Sequence, residues 1–307
     1  MVERVVYTNA IGKSVELNHS APLILFNLEG AEGFETDVKT NKSAFNDGVM
    51  VSAVSVEERI ITINGYIYID LSDLPPDPEV RDTYLETERE RLKRELYSAF
   101  NPKHKGELKI YKKTSSYSAD NLVVVQAPIF DMDYTDTNEL FSFSVDLLMP
   151  FPYFGTENPI IEEFGSEIGM IEFPVDVPPE GQELTIRNME IVKNIVNEGD
   201  TEAPITVEFK ANAVVKNPSI FNIYTREFIK INRTMKNGER IVVTTEPGNK
   251  RVVSIIDGIE ENIFEQLDQG STFIHLNVGE NVIRYNADDL LEQLEVYITY
   301  KNYYVGV

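Results

Sequence analysis

Carboxylates are the residues of this chain that could most readily do chemistry, but none of them falls into a pattern that a known reaction requires. The sequence contains 51 Asp and Glu residues, three His residues and no Cys. His19, His104 and His275 are far apart in sequence, and the paired spacings typical of zinc sites do not occur. The lack of Cys excludes disulfides, thiolate zinc sites and a cysteine nucleophile. We therefore predict no catalytic residue, no metal and no cofactor.

Two short segments look like ligand-binding loops but lack residues that such loops require. Gly12-Lys13-Ser14 resembles the end of a phosphate-binding loop, yet that loop needs a glycine at the position of Tyr7. The acidic segment Asp131, Asp133, Asp136 and Glu139 has the composition of a calcium loop. Its sixth position is not glycine and its twelfth is not glutamate. We interpret it as the solvated tip of a hairpin.

Two functions of another kind stay open. A glycosidase acid and base could come from distant strands, although nothing in the sequence selects two of the 51 carboxylates, so a wall hydrolase has little support. A carbohydrate-binding module could hold cell-wall sugar on the C-terminal sandwich, with a platform built from Tyr297, Tyr300, Tyr303 and Tyr304. The chain has no Trp, and tyrosines in strands more often pack against cross-strand neighbours.

Acidic charge extends over the whole chain and argues against two classes of partner. The formal net charge is −23, of which −10 falls in residues 1–150 and −13 in residues 151–307. Such a surface repels phosphate backbones and anionic lipids, so we predict no stable nucleic-acid binding. The local exception is a lysine cluster, which we interpret as solvated side chains that flank a strand and blunt a sheet edge: Lys103, Lys105, Lys109, Lys112 and Lys113.

The sequence also carries no targeting or membrane signal. Its first 20 residues lack the apolar core of a signal peptide. No uninterrupted apolar run reaches the roughly 18 residues that a membrane-spanning helix needs. We predict a soluble protein without membrane insertion, folded where it is made.

The sequence predicts one helix and many short strands, and these elements would position any functional site. Residues 79–100 show apolar residues at helical spacing with charged residues between them, which predicts an amphipathic helix that forms a single crossover between strands. Its apolar face contains Leu85, Leu92, Leu96, Ala99 and Phe100. Prolines precede the helix, and Pro102 with Gly106 ends it.

Strand patterns fill the rest of the chain and predict two domains. In the first half, apolar residues alternate with polar ones at Ile61, Ile63, Ile67 and Ile69 and again at Phe141, Phe143, Val145 and Leu147, which predicts two half-buried strands. Two prolines between Met149 and Gly155 exclude a central strand there, so we place the boundary between residues 1–150 and residues 151–307. In the second half, turn signals recur at steps of about 8–12 residues, as in sandwiches and barrels. The predicted fold is mainly β: an N-terminal β domain with one amphipathic helix, followed by a C-terminal antiparallel β-sandwich of jelly-roll type.

Three features in chain order support a family resemblance. The first is an N-terminal β segment and a helix that runs into Phe100-Asn101-Pro102-Lys103, a basic stretch and Gly106. The second is a strand that ends in Pro150-Phe151-Pro152-Tyr153-Phe154. The third combines Ile255-Ile256-Asp257-Gly258, a segment from Leu276 to Ile283, and a closing strand Val296–Tyr300. With these motifs over nearly its full length, the chain resembles the distal tail proteins of siphovirus-type bacteriophages that infect Gram-positive hosts.

The resemblance implies a mechanical role at the tail tip of the virion. Such proteins form a homo-hexameric ring that joins the tail tube to the tail-tip hub and the host-adsorption apparatus. The N-terminal domain makes the ring and its lumen, and the C-terminal sandwich points outward as an attachment surface. The implied partners are further copies of the chain, the tail tube protein and the hub or tail-associated lysin, with a receptor-binding protein as a further candidate. Synthesis would take place in the cytoplasm of the host bacterium.

The residues we single out are therefore contact residues. We predict a contact with another subunit at the turn that follows the helix, which comprises Asn101, Pro102, Lys103, Lys105 and Gly106. We predict an inter-domain junction at Pro150, Phe151, Pro152, Tyr153 and Phe154. We also expect ring contacts from the hairpins between Asp37 and Asp70 and from the stretch Pro102 to Lys113, because their apolar strands have no obvious partner. The net charge further predicts an acidic lumen that repels DNA.

Overall fold

The structure, a computed structural model, describes residues 2–42, 47–69, 77–135, 138–164, 167–169, 185–187 and 191–307. The chain forms two compact units. The first comprises Met1–Glu157 together with Tyr304–Val307, and the second comprises Asn158–Tyr303. The polypeptide therefore passes from one unit to the other twice.

The first unit is a curved antiparallel sheet with one helix packed on it. Its elements in chain order are β1 (Val2–Asn9), β2 (Ser14–Leu17), β3 (Leu23–Glu29), β4 (Thr36–Asn41), β5 (Met50–Val56), β6 (Arg59–Ile67), α1 (Pro78–Ala99), β7 (Gly106–Lys112), β8 (Ser116–Thr135), β9 (Asn138–Met149) and β10 (Phe154–Thr156). The main sheet has the order β2-β1-β7-β8-β9-β6-β3, and β10 pairs with β8. Its two ends approach each other where the backbone N–H of Leu25 donates to Asn18 O at 2.6 Å.

The core of this unit lies between the concave face of the sheet and α1. The alternation predicted for β6 is confirmed, because Ile61, Ile63 and Ile67 are buried. In β9 the predicted apolar face is confirmed in the same way, with Phe141, Phe143, Val145 and Leu147 buried. Gly65 allows a close approach of Phe143, since a Cβ at residue 65 would lie 2.6 Å from the Cζ atom of that ring.

The predicted helix and its crossover between β6 and β7 are also confirmed. Asp77 caps the N-terminus, because its Oδ1 accepts a hydrogen bond from Glu79 N at 3.0 Å. The C-terminal half of α1 buries Leu92, Leu96 and Ala99, and Phe100 directly after it is also buried. Leu85 is only half-buried, so the apolar face contacts the sheet mainly in the last two turns.

The second unit is a sandwich of two antiparallel sheets. Its strands are β11 (Ile160–Phe164), β12 (Glu167–Gly169), β13 (Thr185–Arg187), β14 (Val192–Asn197), β15 (Ala203–Ala211), β16 (Val215–Lys216), β17 (Ser219–Asn222), β18 (Phe228–Lys230), β19 (Thr234–Met235), β20 (Arg240–Thr244), β21 (Arg251–Ile256), β22 (Ile259–Asn262), β23 (His275–Leu276), β24 (Gly279–Asn286), β25 (Leu294–Tyr300) and β26 (Tyr303–Tyr304), the last of which ends in the first unit. Two single-turn 3-10 helices, Phe264–Gln266 and Leu291–Gln293, lie between the later strands.

The two sheets of this sandwich meet through aromatic side chains. One sheet has the order β11-β25-β15-β20-β21-β22, and the other has the order β14-β24-β17-β18. The rings of Phe164 and Tyr285 lie 5.7 Å apart between the sheets, and Tyr300 OH donates to Val196 O at 3.0 Å. The predicted fold class, mainly β with one helix and a C-terminal sandwich, is thus confirmed.

The observed division lies seven residues beyond the predicted boundary after residue 150. The difference arises because the chain continues through β10, where Gly155 pairs with Ser118 of β8 in the first unit. Within the described ranges, no helix is long and apolar enough to cross a membrane.

A candidate subunit-contact surface

The turn that follows α1, residues 101–106, is held at both ends by one buried tyrosine. The ring of Tyr7 in β1 stacks on Phe100, with centroids 4.5 Å apart. At the other end of the turn, a Cβ on Gly106 would lie 2.3 Å from Tyr7 Cζ, so only glycine fits beside the ring. Burial raises the pKa of Tyr7 to about 12. The residues of this basic turn are therefore positioned by packing against the core.

Asn9 connects the same turn region to the end of the helix. Its side-chain nitrogen donates to Ser98 O and Ala99 O at 3.0 Å each, which satisfies two carbonyls that the last turn of a helix leaves free. Its side-chain oxygen accepts from the backbone N–H of Lys13 at 2.9 Å. A single buried side chain thus joins the β1–β2 turn to the C-terminus of α1.

Within the basic turn, the predicted contact residues form a compact loop with exposed lysines. Asn101 Oδ1 accepts from Lys103 N at 3.0 Å, and Asn101 O accepts from His104 N at the same distance. Lys105 O accepts from Ala10 N at 2.8 Å, which fixes the turn beside the β1–β2 turn. Pro102, Lys103 and Lys105 are exposed, and neither lysine forms an ion pair with any residue that the structure describes. Both ammonium groups are free to meet an acidic surface.

The rest of the lysine cluster does not blunt a sheet edge, as the sequence analysis expected. β7 lies between β1 and β8, so it is an interior strand. Lys109 instead lies 3.4 Å from the carboxylate of Glu157 and 3.9 Å from that of Glu107. That interpretation of the cluster was wrong for β7, because alternation shows which face of a strand is solvated and does not show whether its edges are paired.

All five residues of the predicted inter-domain junction lie in the first unit. Pro152 and Phe154 are buried, and Phe151 and Tyr153 pack edge to face with ring centroids 5.2 Å apart. Tyr153 N donates to Phe151 O at 2.9 Å, so the prolines form a tight turn that leads into β10. The role of this segment as a junction stays a prediction.

A two-stranded hairpin of the first unit carries several exposed apolar side chains. β4 and β5 pair with each other, and among the described strands neither pairs with any other. We call the described residues 36–42 and 47–56 the arm. Its cross-strand pair Val38 and Val54 is 45% and 62% exposed, and Met50 and Val51 are 68% and 55% exposed. A two-stranded hairpin is marginally stable in water, and its open edges and apolar side chains are typical of a surface that another chain covers.

The first half of α1 is a second element without buried side chains. From Glu79 to Glu90 no side chain with described burial is buried. Val80 and Tyr84 are 53% and 46% exposed and lie one turn apart on the same face. An isolated helical stretch of this length is marginal in water, so this face is a second candidate contact surface.

The strand order reduces the number of residues in the two predicted stretches that are available for a ring contact. Asp70 lies outside the described residues. β6 has β3 and β9 as neighbours, so the expectation that the apolar strands after residue 58 lack partners was wrong. The same holds for β7. The arm and the basic turn are the parts of those two stretches that the sheet leaves exposed. The predicted stretch from Asp37 to Asp70 includes the arm. The start of α1 was not among the predicted contact residues, because its sequence only predicts an amphipathic helix.

The sequence alone does not show whether carboxylates assemble into a metal site or an acid–base pair. In the described part of the chain, no group of three or more His, Asp or Glu side chains could hold a metal ion. Asp136 of the calcium-loop segment lies outside the described residues. The buried carboxylate of Glu239 accepts from Arg233 Nε and Ser254 Oγ, both at 2.6 Å, which is the pattern of a structural ion pair.

A second buried carboxylate, Glu295, is equally occupied. It accepts from Lys210 Nζ at 2.9 Å, from Asn212 Nδ2 at 2.6 Å and from Tyr297 OH at 3.2 Å. Burial alone would raise the pKa of Glu295, but the hydrogen bonds from Lys210 and Asn212 outweigh it and lower the pKa to about 2. Such a carboxyl group remains ionised and does not supply a proton near neutral pH.

Two of the four tyrosines considered for a sugar-binding platform are buried, and the other two are half-buried. Tyr300 and Tyr303 are 4% and 9% exposed. Tyr304 lies against Tyr117, with ring centroids 5.5 Å apart. Because these rings pack against protein, they do not offer the open faces on which a sugar stacks.

Comparisons with known proteins give a family match over the C-terminal part of the chain and a likeness in fold over nearly all of it. Residues 198–304 match the family described as siphovirus-type tail component, C-terminal domain. A search of curated proteins gives no significant match. Among solved structures, the chain is similar to the Dit protein (gp 19.1) of phage SPP1, which is described as a paradigm of the hub adsorption apparatus in phages that infect Gram-positive bacteria. The TM-score is 0.60 at 10% identity, over 96% of this chain and 98% of that chain.

The chain is also similar to a chain of the phage P2 baseplate in its activated conformation, in the forms with calcium and with strontium. Each comparison has a TM-score of 0.50 at 10% identity and covers 100% of both chains. The resemblance that the sequence motifs predicted is therefore confirmed as a likeness: residues 198–304 match the siphovirus-type tail component family, and nearly the whole chain is similar in fold to the Dit protein of phage SPP1.

Proposed function

We propose that this protein is a structural component of a phage tail tip, where copies of the chain form a ring between the tail tube and the tail-tip hub. The match of residues 198–304 to the tail-component family is the observation that carries this proposal. The likeness in fold to a hub protein over nearly the full length supports it. In this proposal the virion contains six copies, the number that the family resemblance implies.

The first unit makes the ring contacts in this proposal. A closed ring needs two different surfaces on each subunit that fit each other around the axis. The arm supplies exposed apolar strands with open edges, and the start of α1 supplies an exposed apolar face at Val80 and Tyr84. The basic turn adds two lysines that form no ion pair with a described residue. Because the chain has a net charge of −23, an acidic surface of the next copy would attract this turn.

The face of the sheet formed by β3, β6, β8 and β9 has the charge expected of a channel wall. These four strands contain a single basic residue, Arg59, and its side chain is buried. Their acidic residues include Glu29, Asp131 and Asp146. We infer that this face lines the lumen, because a wall without exposed cations would let DNA pass without binding it.

The second unit serves as the outward attachment surface. Its proposed partners are the hub or tail-associated lysin and a receptor-binding protein, and the tail tube protein contacts the ring. The protein has no catalytic role in this proposal, since its buried carboxylates Glu239 and Glu295 are held in hydrogen-bond networks. Made in the cytoplasm of the host bacterium, it acts in the virion tail tip.

The mass of the full-length protein in solution tests the proposal. Multi-angle light scattering should give six times the 34.9 kDa chain, alone or after the tail tube protein is added, and electron microscopy should show rings with an open centre. A monomer at all concentrations, with and without the tube protein, would overturn the ring. Lysine or arginine side chains along the channel of an observed ring would overturn the assignment of the lumen.

A further inference from the structure

Residues 304–307 lie on the first unit as a short strap. Val307 N donates to Ala31 O at 3.0 Å. Gly306 approaches Glu32 so closely that a Cβ would lie 3.0 Å from its backbone oxygen. Residues that are about 270 positions away in the sequence therefore contact the start of the chain segment that follows β3.

Arg59 joins the strap to this segment. Its Nη1 donates to Gly30 O at 3.1 Å and to Ala31 O at 3.2 Å, and its Nη2 donates to Val305 O at 2.5 Å. The side chain is 5% exposed, and its guanidinium carbon lies 5.1 Å from the centre of the Phe154 ring. No carboxylate pairs with Arg59 among the described residues, so its polar contacts there are backbone carbonyls and the face of an aromatic ring.

These contacts lie where the two strands of the arm join the rest of the first unit. We call this place the root of the arm. The arm begins at Thr36, five residues after Ala31, and ends at Val56, three residues before Arg59. Between the two sides, Glu57 N donates to Glu35 O at 3.1 Å. Almost every residue of β4 and β5 is exposed, so packing along the arm does not fix its direction, and only contacts at the root can do so.

We propose that Arg59 and residues 304–307 form a clasp that fixes the direction of the arm and thereby prepares it to meet a second copy of the chain. The part that concerns a second copy rests on the proposed function of the arm. Loss of Arg59 removes a hydrogen-bond donor from the carbonyls of Gly30, Ala31 and Val305, and leaves the bond from Val307 N to Ala31 O as the hydrogen bond between the strap and the root. The arm then samples many directions, and a defined contact with a neighbour costs more conformational entropy.

Spin-label distances test the clasp directly, because the chain has no cysteine and labelled positions can be chosen freely. One label replaces exposed Thr40 on the arm, and the other replaces exposed Lys13 in the β1–β2 turn. The distance between them is measured by pulsed electron resonance in the full-length protein. The parent distribution should be narrow, and Arg59→Met should broaden it about twofold or more.

Arg4→Met is the matched control. This variant makes the same change of residue type and likewise removes polar and ring contacts, in this case with the carboxylate of Glu16 at 3.4 Å and the ring of Tyr111 at 4.1 Å, but Arg4 lies in β1. Its distribution should match the parent. Gly306→Val is a second test that keeps Arg59, because its side chain displaces the strap from Glu32. Unchanged distributions in both Arg59→Met and Gly306→Val would overturn the clasp.

Light scattering on the same samples separates the clasp from the ring. If the parent protein assembles, Arg59→Met should weaken its self-association about tenfold or more. Broad label distances with unchanged self-association would overturn the link between the clasp and assembly. A parent protein that never assembles would overturn the ring, while the label distances would still decide whether the clasp fixes the arm.

Discussion

Tyr7 stacks on Phe100 at the end of α1, with ring centroids 4.5 Å apart and ring planes inclined by 22°. The hydroxyl group of Tyr7 is buried and has no hydrogen-bond partner among the described residues. Gly106 leaves room for the same ring at the other end of the basic turn. Tyr7 thus sets the position of the basic turn. A substitution in this part of the core should therefore affect the turn as well as the stability of the protein.

Tyr7→Phe should stabilise the protein by about 1 kcal/mol, because it removes a buried hydroxyl that lacks a partner and keeps the stacked ring. Phe100→Ala should destabilise the protein by about 3–5 kcal/mol through loss of a fully buried ring.

Urea denaturation followed by circular dichroism measures the change in the free energy of unfolding for both variants. Tyr224→Phe, at a residue that is 61% exposed, is the control and should change stability little. A destabilised Tyr7→Phe would show that the hydroxyl group has a partner.

Charge reversal in the basic turn should change assembly and leave the fold intact. Lys103→Glu and Lys105→Glu each remove an exposed cation without a described ion pair, so the melting temperature should stay within about 2 °C of the parent. Self-association should weaken about tenfold or more if an acidic surface of a neighbour contacts the turn.

Lys113→Glu is the matched control for this experiment, because Lys113 is an exposed lysine just beyond the other end of β7. It makes the same change in net charge and should leave the mass measured by light scattering unaffected. Equal effects of all three variants would indicate a response to net charge alone. Unchanged assembly in both turn variants would show that the basic turn ends the helix and makes no subunit contact.

The arm makes a separate prediction about assembly. Val54→Asp places a charge on an apolar side chain that is 62% exposed, so the isolated subunit should keep its stability within about 0.5 kcal/mol. Assembly should be lost, because a carboxylate buried in a subunit contact without a partner is strongly unfavourable. Sedimentation velocity compares its mass with that of Val278→Asp, a change at a residue of the second unit that is 55% exposed. A Val54→Asp protein that assembles like the parent would exclude the centre of the arm from the contact.

Local patterns were enough to predict the helix, the alternation in β6 and β9, and the mainly β class. Leu92 and Leu96 are one turn apart, and Ile61 and Ile63 are two residues apart, so each pair specifies a face without knowledge of distant residues. The lysine cluster shows where this reasoning stops. Whether β7 is an edge or an interior strand depends on which strands pair beside it, and these come from β1 and β8.

The contact features were harder to predict, because they depend on neighbouring strands that are absent among the described residues and on contacts between residues far apart in sequence. Val38 and Val54 have the alternation of a half-buried strand, and only the structure shows that nothing described in the chain covers them. Arg59 and Val305 are 246 residues apart in sequence. A buried arginine with carbonyl partners has no sequence signature, since backbone oxygens are present at every residue.

Acid should weaken the second unit through Glu295. Its pKa is about 2 in the fold against 4.5 for the free side chain, so the unfolded chain takes up the proton first as the pH falls. The stabilisation is fully present above about pH 5 and is lost progressively as the pH falls through 4.5 toward 2. Glu295→Gln should therefore destabilise the protein by roughly 1–3 kcal/mol at pH 7 and by much less near pH 2.5.

Urea denaturation at pH 7, 4 and 2.5, followed by the near-ultraviolet circular dichroism of the tyrosines, measures this difference. Glu280→Gln is the matched control, because Glu280 is an exposed carboxylate of the same unit, and its variant should differ little from the parent at each pH. The difference between the parent and Glu295→Gln should shrink toward low pH, since protonation of the parent removes the same charge that the substitution removes. A difference that stays constant from pH 7 to pH 2.5 would show that the substitution acts through packing, and that the hydrogen bonds from Lys210 and Asn212 do not hold a charged carboxylate.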